Sequence, residues 1–309
     1  MPAIIVGLDG SPESLAAADW AAREATQRDA PLRLLHAGSP LGSLYTPYLG
    51  VPAPGLLEAE HERAARLLSG TRSRLTERHP GLRVDVRQAE TEAVPALLAE
   101  AADAELLVLG SRGLGTVAGF LTGSVGLAVV ARSERPVVLV RAGESAAQEH
   151  LPDASGEESA STAYRDVVLG LDLEEPGDEA VEFAFATARR RASGLRVVHG
   201  WNPAAAYGYG AAVDSGLTAE LAQETRRALG DVLRPWQDKF PGVEVHAQAV
   251  VGSAGRHLVH ASREASLVVV GRKRRHTPVG GRIGSVAHAV LHHAVAPVAV
   301  VPVADVPHG

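Results

Sequence analysis

Three stretches of this chain combine residue types that could do chemistry. Asp9-Gly10-Ser11 follows the apolar run Ile4–Leu8, Ala37-Gly38 follows Leu32–His36, and Gly110-Ser111-Arg112-Gly113-Leu114-Gly115 follows Leu106–Leu109 and runs on through Thr122-Gly123-Ser124-Val125. Glycine removes the Cβ that would keep a backbone away from a ligand. Gly123-Ser124-Val125 would present free amides at the start of a helix, where an anion is favoured. An acid at the position of Asp9 suits the hydroxyls of a ribose. Each feature also has a plain alternative: Asp9 and Ser124 can be helix caps, and a glycine-rich run can be turn chemistry. Their joint occurrence is more specific than any one of them.

Composition removes several other chemistries. The chain has no cysteine, which excludes disulfides, thiolate nucleophiles, iron–sulfur clusters and cysteine-based zinc sites. Of its 30 basic residues only Lys239 and Lys273 are lysine, and no Gly-Lys pair exists, so a Walker-type phosphate loop is excluded. Any bound phosphate must be held by backbone amides or arginines. A net charge of −6 and a pI near 6.1 argue against nucleic-acid binding, which usually needs a basic face. His288 and His292 have the i, i+4 spacing of metal ligands, but no Glu follows His288 to complete His-Glu-x-x-His. We read these two and His293 as helix-surface or interface residues and assign no metal ligand.

The elements that must position these residues recur twice. Ile4-Ile5-Val6-Gly7-Leu8-Asp9 is answered by Val167-Val168-Leu169-Gly170-Leu171-Asp172 at an offset of 163, which also relates His36 to His199 and so Ala37 to Gly200. Leu106–Gly110 is answered by Leu267–Gly271 at an offset of 161, as Gly123-Ser124-Val125 is by Gly284-Ser285-Val286 and Pro136-Val137 by Pro297-Val298. Within the first copy, apolar runs and helical periodicity alternate. Strands are expected at Ile4–Leu8, Leu32–His36, Leu82–Gln88, Leu106–Leu109 and Pro136–Val140, and helices at Glu13–Arg28, Leu56–His79, Ala93–Ala102 and Val125–Arg132. Continuous apolar strands suit a parallel sheet covered on both faces, so two tandem doubly wound α/β domains are expected, residues 1–141 and 164–309.

Between them, residues 142–163 contain Glu144, Glu149, Asp153, Glu157 and Glu158 and no lysine or arginine, which reads as a flexible acidic linker. No run of about 18 uncharged apolar residues occurs, and Asp9 falls where a signal peptide would still be apolar. A cytoplasmic location without membrane contact is expected.

Gly110-x-x-Gly113, nine residues, then Gly123-Ser124 resembles the nucleotide motif of the universal stress protein family, Gly-x2-Gly-x9-Gly-Ser/Thr. The opening Val-Gly-Leu-Asp-Gly-Ser, the strand bearing His36 and the Ser111-Arg112-Gly113 that follows the fourth strand agree with it. The resemblance covers nearly the whole chain, as two copies. It implies Rossmann-like five-stranded parallel sheets of order 3-2-1-4-5 and ATP, with Mg²⁺, at the strand ends. It also implies dimer-like pairing of the two domains, and a homodimer, through their last strands. The implied contacts are Asp9, Gly10 and Ser11 near the adenosine and the Ala37 backbone at the adenine. Leu109, Gly110, Arg112 and Gly113 lie towards the ribose and phosphates, and Gly123, Ser124 and Val125 on phosphate. Gly38–Leu56, with Tyr45, Tyr48 and four prolines, would flank the ligand or be an ordinary surface excursion.

The second copy departs from the pattern. Its implied site residues are Asp172, Gly200, Gly271, Gly284, Ser285 and Val286, but Arg274 stands at the second motif glycine, within Arg272-Lys273-Arg274-Arg275. Either that pocket is empty and its domain a structural partner, or the basic side chains bind an anion in place of amides. Conversely, Thr91 stands where the family usually has glycine, and Gly252 keeps it. The function implied is ATP-dependent stress response or signalling without catalysis. A weak ATP hydrolase and a nucleotide-free interaction module are the alternatives.

Overall fold

A computed structural model describes residues 2–38, 54–111, 124–202, 215–273 and 283–304. The chain divides into two compact units, Met1–Ser145 and Ala146–Gly309.

The first unit runs β1 (Ile4–Gly7), α1 (Pro12–Arg28), β2 (Leu32–Ala37), α2 (Pro54–Arg78), β3 (Val84–Ala89), α3 (Ala93–Ala101), β4 (Leu106–Ser111), α4 (Ser124–Arg132) and β5 (Val137–Arg141). Its strands pair in parallel in the order β3-β2-β1-β4-β5. Ile4 of the central strand faces Leu32 on one side and Leu106 on the other. Ile4, Ile5, Leu32, Leu34, Leu106 and Leu107 are fully buried, as strands with helices on both faces require. Each such side chain stabilises the fold by about 1.5–3 kcal/mol relative to exposure.

Helix α1 begins where the chain chemistry says it should. Ser11 is its N-cap in extended conformation and accepts from the Ser14 amide at 3.2 Å, with Pro12 in the first turn. It ends at Asp29, which adopts the left-handed conformation with φ 51°.

The second unit opens with a 3₁₀ turn at Ala146–Glu149. It continues as β6 (Val167–Gly170), α5 (Asp178–Arg191), β7 (Leu195–Trp201), α6 (Ser215–Lys239), β8 (Val245–Val251), α7 (Ala254–Ala261), β9 (Leu267–Lys273), α8 (Ser285–His293) and β10 (Val298–Val303). Its order, β8-β7-β6-β9-β10, is the same topology. Helix α5 ends at Ala192, 163 residues after Asp29 and in the same left-handed conformation, yet α5 has 14 residues against 17 in α1. The missing three lie at its N-terminus. Pro176 disfavours helical backbone at Glu175, and Gly177, the N-cap, sits at φ 67°.

Two expectations are corrected here. Gly110 and Ser111 are strand residues and not loop: they pair with Val140 and Arg141 of β5, so the ladder carries β4 two residues beyond Leu109. Likewise β9 extends through Lys273, paired with Val303. In the segment read as a flexible linker, Glu149 and His150 are buried within the second unit, whereas residues 151–158 are exposed. Its Glu149 forms an ion pair with Arg191 of α5 at 3.3 Å, with both side chains almost wholly buried. Arg191 also donates to the Ser266 carbonyl at 3.0 Å, and its guanidinium lies over the Tyr164 ring. The His150 ring packs tilted against Tyr164 with centroids 3.9 Å apart, the Arg165 amide donates to the Glu149 carbonyl, and the Leu151 amide donates to the Ala163 carbonyl. A charge count sees only solvated acids here; Glu149 instead supplies the counter-ion that a buried arginine needs.

Candidate functional site

At the carboxyl end of β1, Asp9 makes a tight polar turn. Its Oδ1 accepts from the Ser11 amide at 2.9 Å and the Ser11 hydroxyl at 2.5 Å, and the Asp9 amide donates to Ser14 Oγ at 3.4 Å. Partial burial alone would raise the Asp9 carboxyl, but these hydrogen bonds outweigh it and hold the group below the usual carboxylate range. Asp9 is therefore an anion at neutral pH, aimed by the start of α1. On the neighbouring strand, His36 Nδ1 lies 2.7 Å from the Leu8 carbonyl, and its counterpart His199 lies 3.0 Å from the Leu171 carbonyl. Nδ1–H donates in both. The repeated histidine thus fixes the backbone immediately before each aspartate, a role that its recurrence at one offset signalled and residue type alone did not.

These elements surround a cavity of about 450 Å³ over the strand ends. Its apolar wall comes from Leu35, Ala37, Ala93, Leu97 and Leu109, its acidic side from Asp9 and Glu13, and its far side from Ser124, Val125 and Gly126 in the first turn of α4. Pockets of this size, mostly apolar with a few convergent polar groups, take nucleotide-sized ligands. The arrangement fits a nucleotide in particular: an apolar slot for a base, a carboxylate for hydroxyls, and an exposed helix N-terminus for an anion. Asp9 and Glu13 are the two carboxylates of the described cavity wall, and Glu13 is the one left to hold a divalent cation when Asp9 meets hydroxyls. Among the described residues, no group of three or more histidine, aspartate or glutamate side chains is placed to hold a metal by itself. The His288 and His292 rings touch in a tilted arrangement, with centroids 4.3 Å apart.

The glycines have reasons that the sequence did not show. A Cβ on Gly110 would stand 2.6 Å from both the Glu13 carbonyl carbon and the Ser14 nitrogen, so this glycine lets the first turn of α1 sit against β4. Gly7 is similarly crowded, by Leu109 at 2.7 Å and Leu97 at 3.0 Å. Gly10 lies in the turn at φ 82° and is not part of the cavity wall. Gly252 sits at φ 108°, where a side chain is strained, whereas Thr91 is not among the residues with positive φ. The two family-motif positions therefore differ in backbone as well as in residue.

In the second unit, a cavity of about 510 Å³ occupies the same place. Asp172, Gly200, Gly271, Gly284, Ser285 and Val286 all line it. With the first turn of the helix absent, Gly271 is uncrowded: the nearest atoms to its Cβ would be those of Val303 at 3.4 Å and Ala180 at 3.8 Å, ordinary contact distances. Gly200 is instead crowded by the Ala254 backbone, its Cβ falling 2.5 Å from that nitrogen. Glu175, Arg272 and Lys273 also line the cavity, and Lys273 forms an ion pair with Glu175.

Of the expected site residues in the first unit, Asp9, Ser11, Ala37, Leu109, Gly110, Ser124 and Val125 thus come together around one cavity. Arg112, Gly113 and Gly123 lie outside the described residues, as do Tyr45, Tyr48, Arg274 and Arg275. Sequence reasoning missed Glu13, Ser14, Ala93 and Leu97 as wall residues and Glu175 in the second unit. Helical periodicity placed the first four on helices, but which helix ends reach a cavity is a matter of packing.

The universal stress protein family model matches residues 1–141 and again residues 163–302. The chain belongs to the universal stress protein family. A universal stress protein of Mycolicibacterium smegmatis is 32% identical over 295 residues, spanning 93% of this chain and 92% of its own length. Another, from Mycobacterium tuberculosis, is 32% identical over 293 residues, spanning 93% of this chain and 92% of that protein. The crystal structure of a universal stress protein from Archaeoglobus fulgidus superposes with a TM-score of 0.68 at 16% identity, covering 97% of this chain and 98% of that one, and so shares the fold. Like that fold, each unit of this universal stress protein is a parallel sheet flanked by helices. Among the described residues, no helix is long and apolar enough to cross a membrane.

Proposed function

We propose that this chain is a cytoplasmic nucleotide-binding protein of the stress response, whose first unit holds ATP with Mg²⁺ and signals by occupancy and not by turnover. The observation that carries this reading is the convergence of the Asp9 carboxylate, the apolar slot of Leu35, Ala37 and Leu97, and the first turn of α4 around one cavity of about 450 Å³. In this reading the base lies in the slot beside Ala37, the ribose hydroxyls meet Asp9, and the phosphates reach the amides at Ser124–Gly126. The helix dipole favours negative charge there. Membership of the family supports it, as does the intact Gly110-x2-Gly113-x9-Gly123-Ser124 spacing.

The test is calorimetric titration of the full chain with ATP, with and without Mg²⁺, alongside Ser124→Asp. Ser124 is exposed at the start of α4, and Asp is a favoured residue at helix starts, so the variant should fold as stably as the wild type. Its carboxylate would meet the phosphates, and ATP affinity should fall tenfold or more. A wild-type protein with no ATP-dependent signal, or a Ser124→Asp variant that binds as well as the wild type, refutes the reading.

A further inference from the structure

The second cavity holds charge of a kind that the first does not. The described wall of the first carries Asp9 and Glu13; the second carries Asp172, Glu175, Arg272 and Lys273. Both cations sit at the end of β9. Arg272 is buried, and Lys273 is half-exposed and paired with Glu175, whose side chain is 26% exposed. Glu175 is available because of a local event in the chain. At the offset of 163, residues 175–177 answer Pro12–Ser14 in the first turn of α1, and the pre-proline position with the positive φ of Gly177 keeps Glu175 off the helix. The carboxylate thereby pairs, at the cavity wall, with the only ammonium among the described lining residues. The N-terminus of α8 also lines the cavity and begins at Gly284, where a Cβ would meet nothing within 4 Å among the described residues.

We propose that the second cavity is an anion site for a phosphate-bearing ligand that the chain occludes with its own carboxylate: Glu175 takes the Lys273 ammonium that an incoming phosphate would use. The inference deepens the nucleotide reading of the first unit by assigning the second a conditional occupancy, and it rests on that reading only for the nucleotide as probe. An exposed ion pair is weak, so the block is a bias and not a lock. A carboxylate also repels phosphate. At about 5 Å in water each unit of phosphate charge it opposes is worth roughly a factor of four, so removing it in front of a dianionic phosphate should tighten binding about tenfold.

Hydrogen exchange followed by mass spectrometry on the full chain tests this, because the two units have different sequences and report separately. The comparison is wild type against Glu175→Gln, with ATP and with pyrophosphate as probes. At ATP concentrations that protect residues 124–126, the wild type should show little protection at residues 284–287. Glu175→Gln should gain protection there at about tenfold lower concentration, and Glu175→Gln/Lys273→Gln should lose that gain. Protection by pyrophosphate as well as ATP assigns the site to the phosphate group itself; protection by ATP alone assigns it to a nucleotide. Three results overturn the inference: equal protection of 284–287 in wild type and Glu175→Gln, no protection of 284–287 in Glu175→Gln with either probe, or a gain that persists in the double variant. Failure of the nucleotide reading is separate, since it appears as absent protection at 124–126.

Discussion

Gly110→Ala distinguishes a glycine kept for packing from one kept for a ligand. The added Cβ would fall 2.6 Å from the Glu13 carbonyl carbon, 2.6 Å from the Ser14 nitrogen and 2.8 Å from Glu13 Cβ. Carbon contacts settle near 3.5–4.0 Å, so the N-terminus of α1 must move by about 1 Å. The atoms in the way are mostly backbone and hydrogen-bonded to Asp9 through Ser11 and Ser14, so they cannot swing aside. Overpacking of this kind costs about 1–3 kcal/mol, and the upper half of that range is expected. The equivalent Gly271→Ala has room, with Val303 at 3.4 Å, and should be neutral or gain a few tenths of a kcal/mol from the reduced freedom of the unfolded chain. With a urea dependence of about 2 kcal/mol/M for a unit of this size, Gly110→Ala should lower the midpoint of the first unit by about 1 M, and Gly271→Ala should leave the second where it was. Urea titration of the ligand-free protein, read by hydrogen exchange on peptides from α1 and β4 and from α5 and β9, measures the two separately. Equal shifts in both variants refute the packing argument. So does a Gly110→Ala protein of unchanged stability that has lost only ATP affinity, which would return this glycine to the ligand.

Two further perturbations follow from the geometry. Glu149→Gln leaves the buried Arg191 guanidinium without its counter-ion and should destabilise the second unit by about 3–5 kcal/mol, whereas Glu149→Leu/Arg191→Met should recover most of that; denaturation and protease cleavage within residues 150–163 read both. The Asp9 carboxyl is held below its ordinary value of 3.8 in the fold, so the unfolded chain binds its proton first. Its contribution is complete above about pH 3.8 and is lost as pH falls through the lower folded value. Asp9→Asn should therefore flatten the acid limb of the stability profile of the first unit below pH 4 and leave its neutral-pH shape alone, as followed by circular dichroism; an unchanged acid limb refutes the assignment.

Much of the fold was legible because it rests on periodicity and repetition. Ile4–Leu8 and Leu106–Leu109 are apolar throughout, which suits a strand covered on both faces, and Ser11-Pro12 marks a helix start through backbone chemistry alone. Strand ends were less legible, since whether Gly110 and Ser111 continue β4 depends on β5 lying alongside. The acidic segment misled because composition counts charges without their partners: Glu149 reads as solvated until Arg191, 42 positions on, is found buried against it.

Reading along one chain was enough for the duplication, the α/β class, the exclusion of thiol and Walker-type chemistry, and the strand ends at which a ligand could sit. These depend on residue type and spacing along one chain. What the marked residues touch came from packing in three dimensions. It gave Gly110, a cavity-wall residue, a second reason in the close approach of α1, aimed Asp9 through two serines, and brought Glu175 to one of the two lysines, Lys273. The physical reason is common to all three: a spacing places a residue on an element, but a distance of 3 Å is set by which other element packs against it.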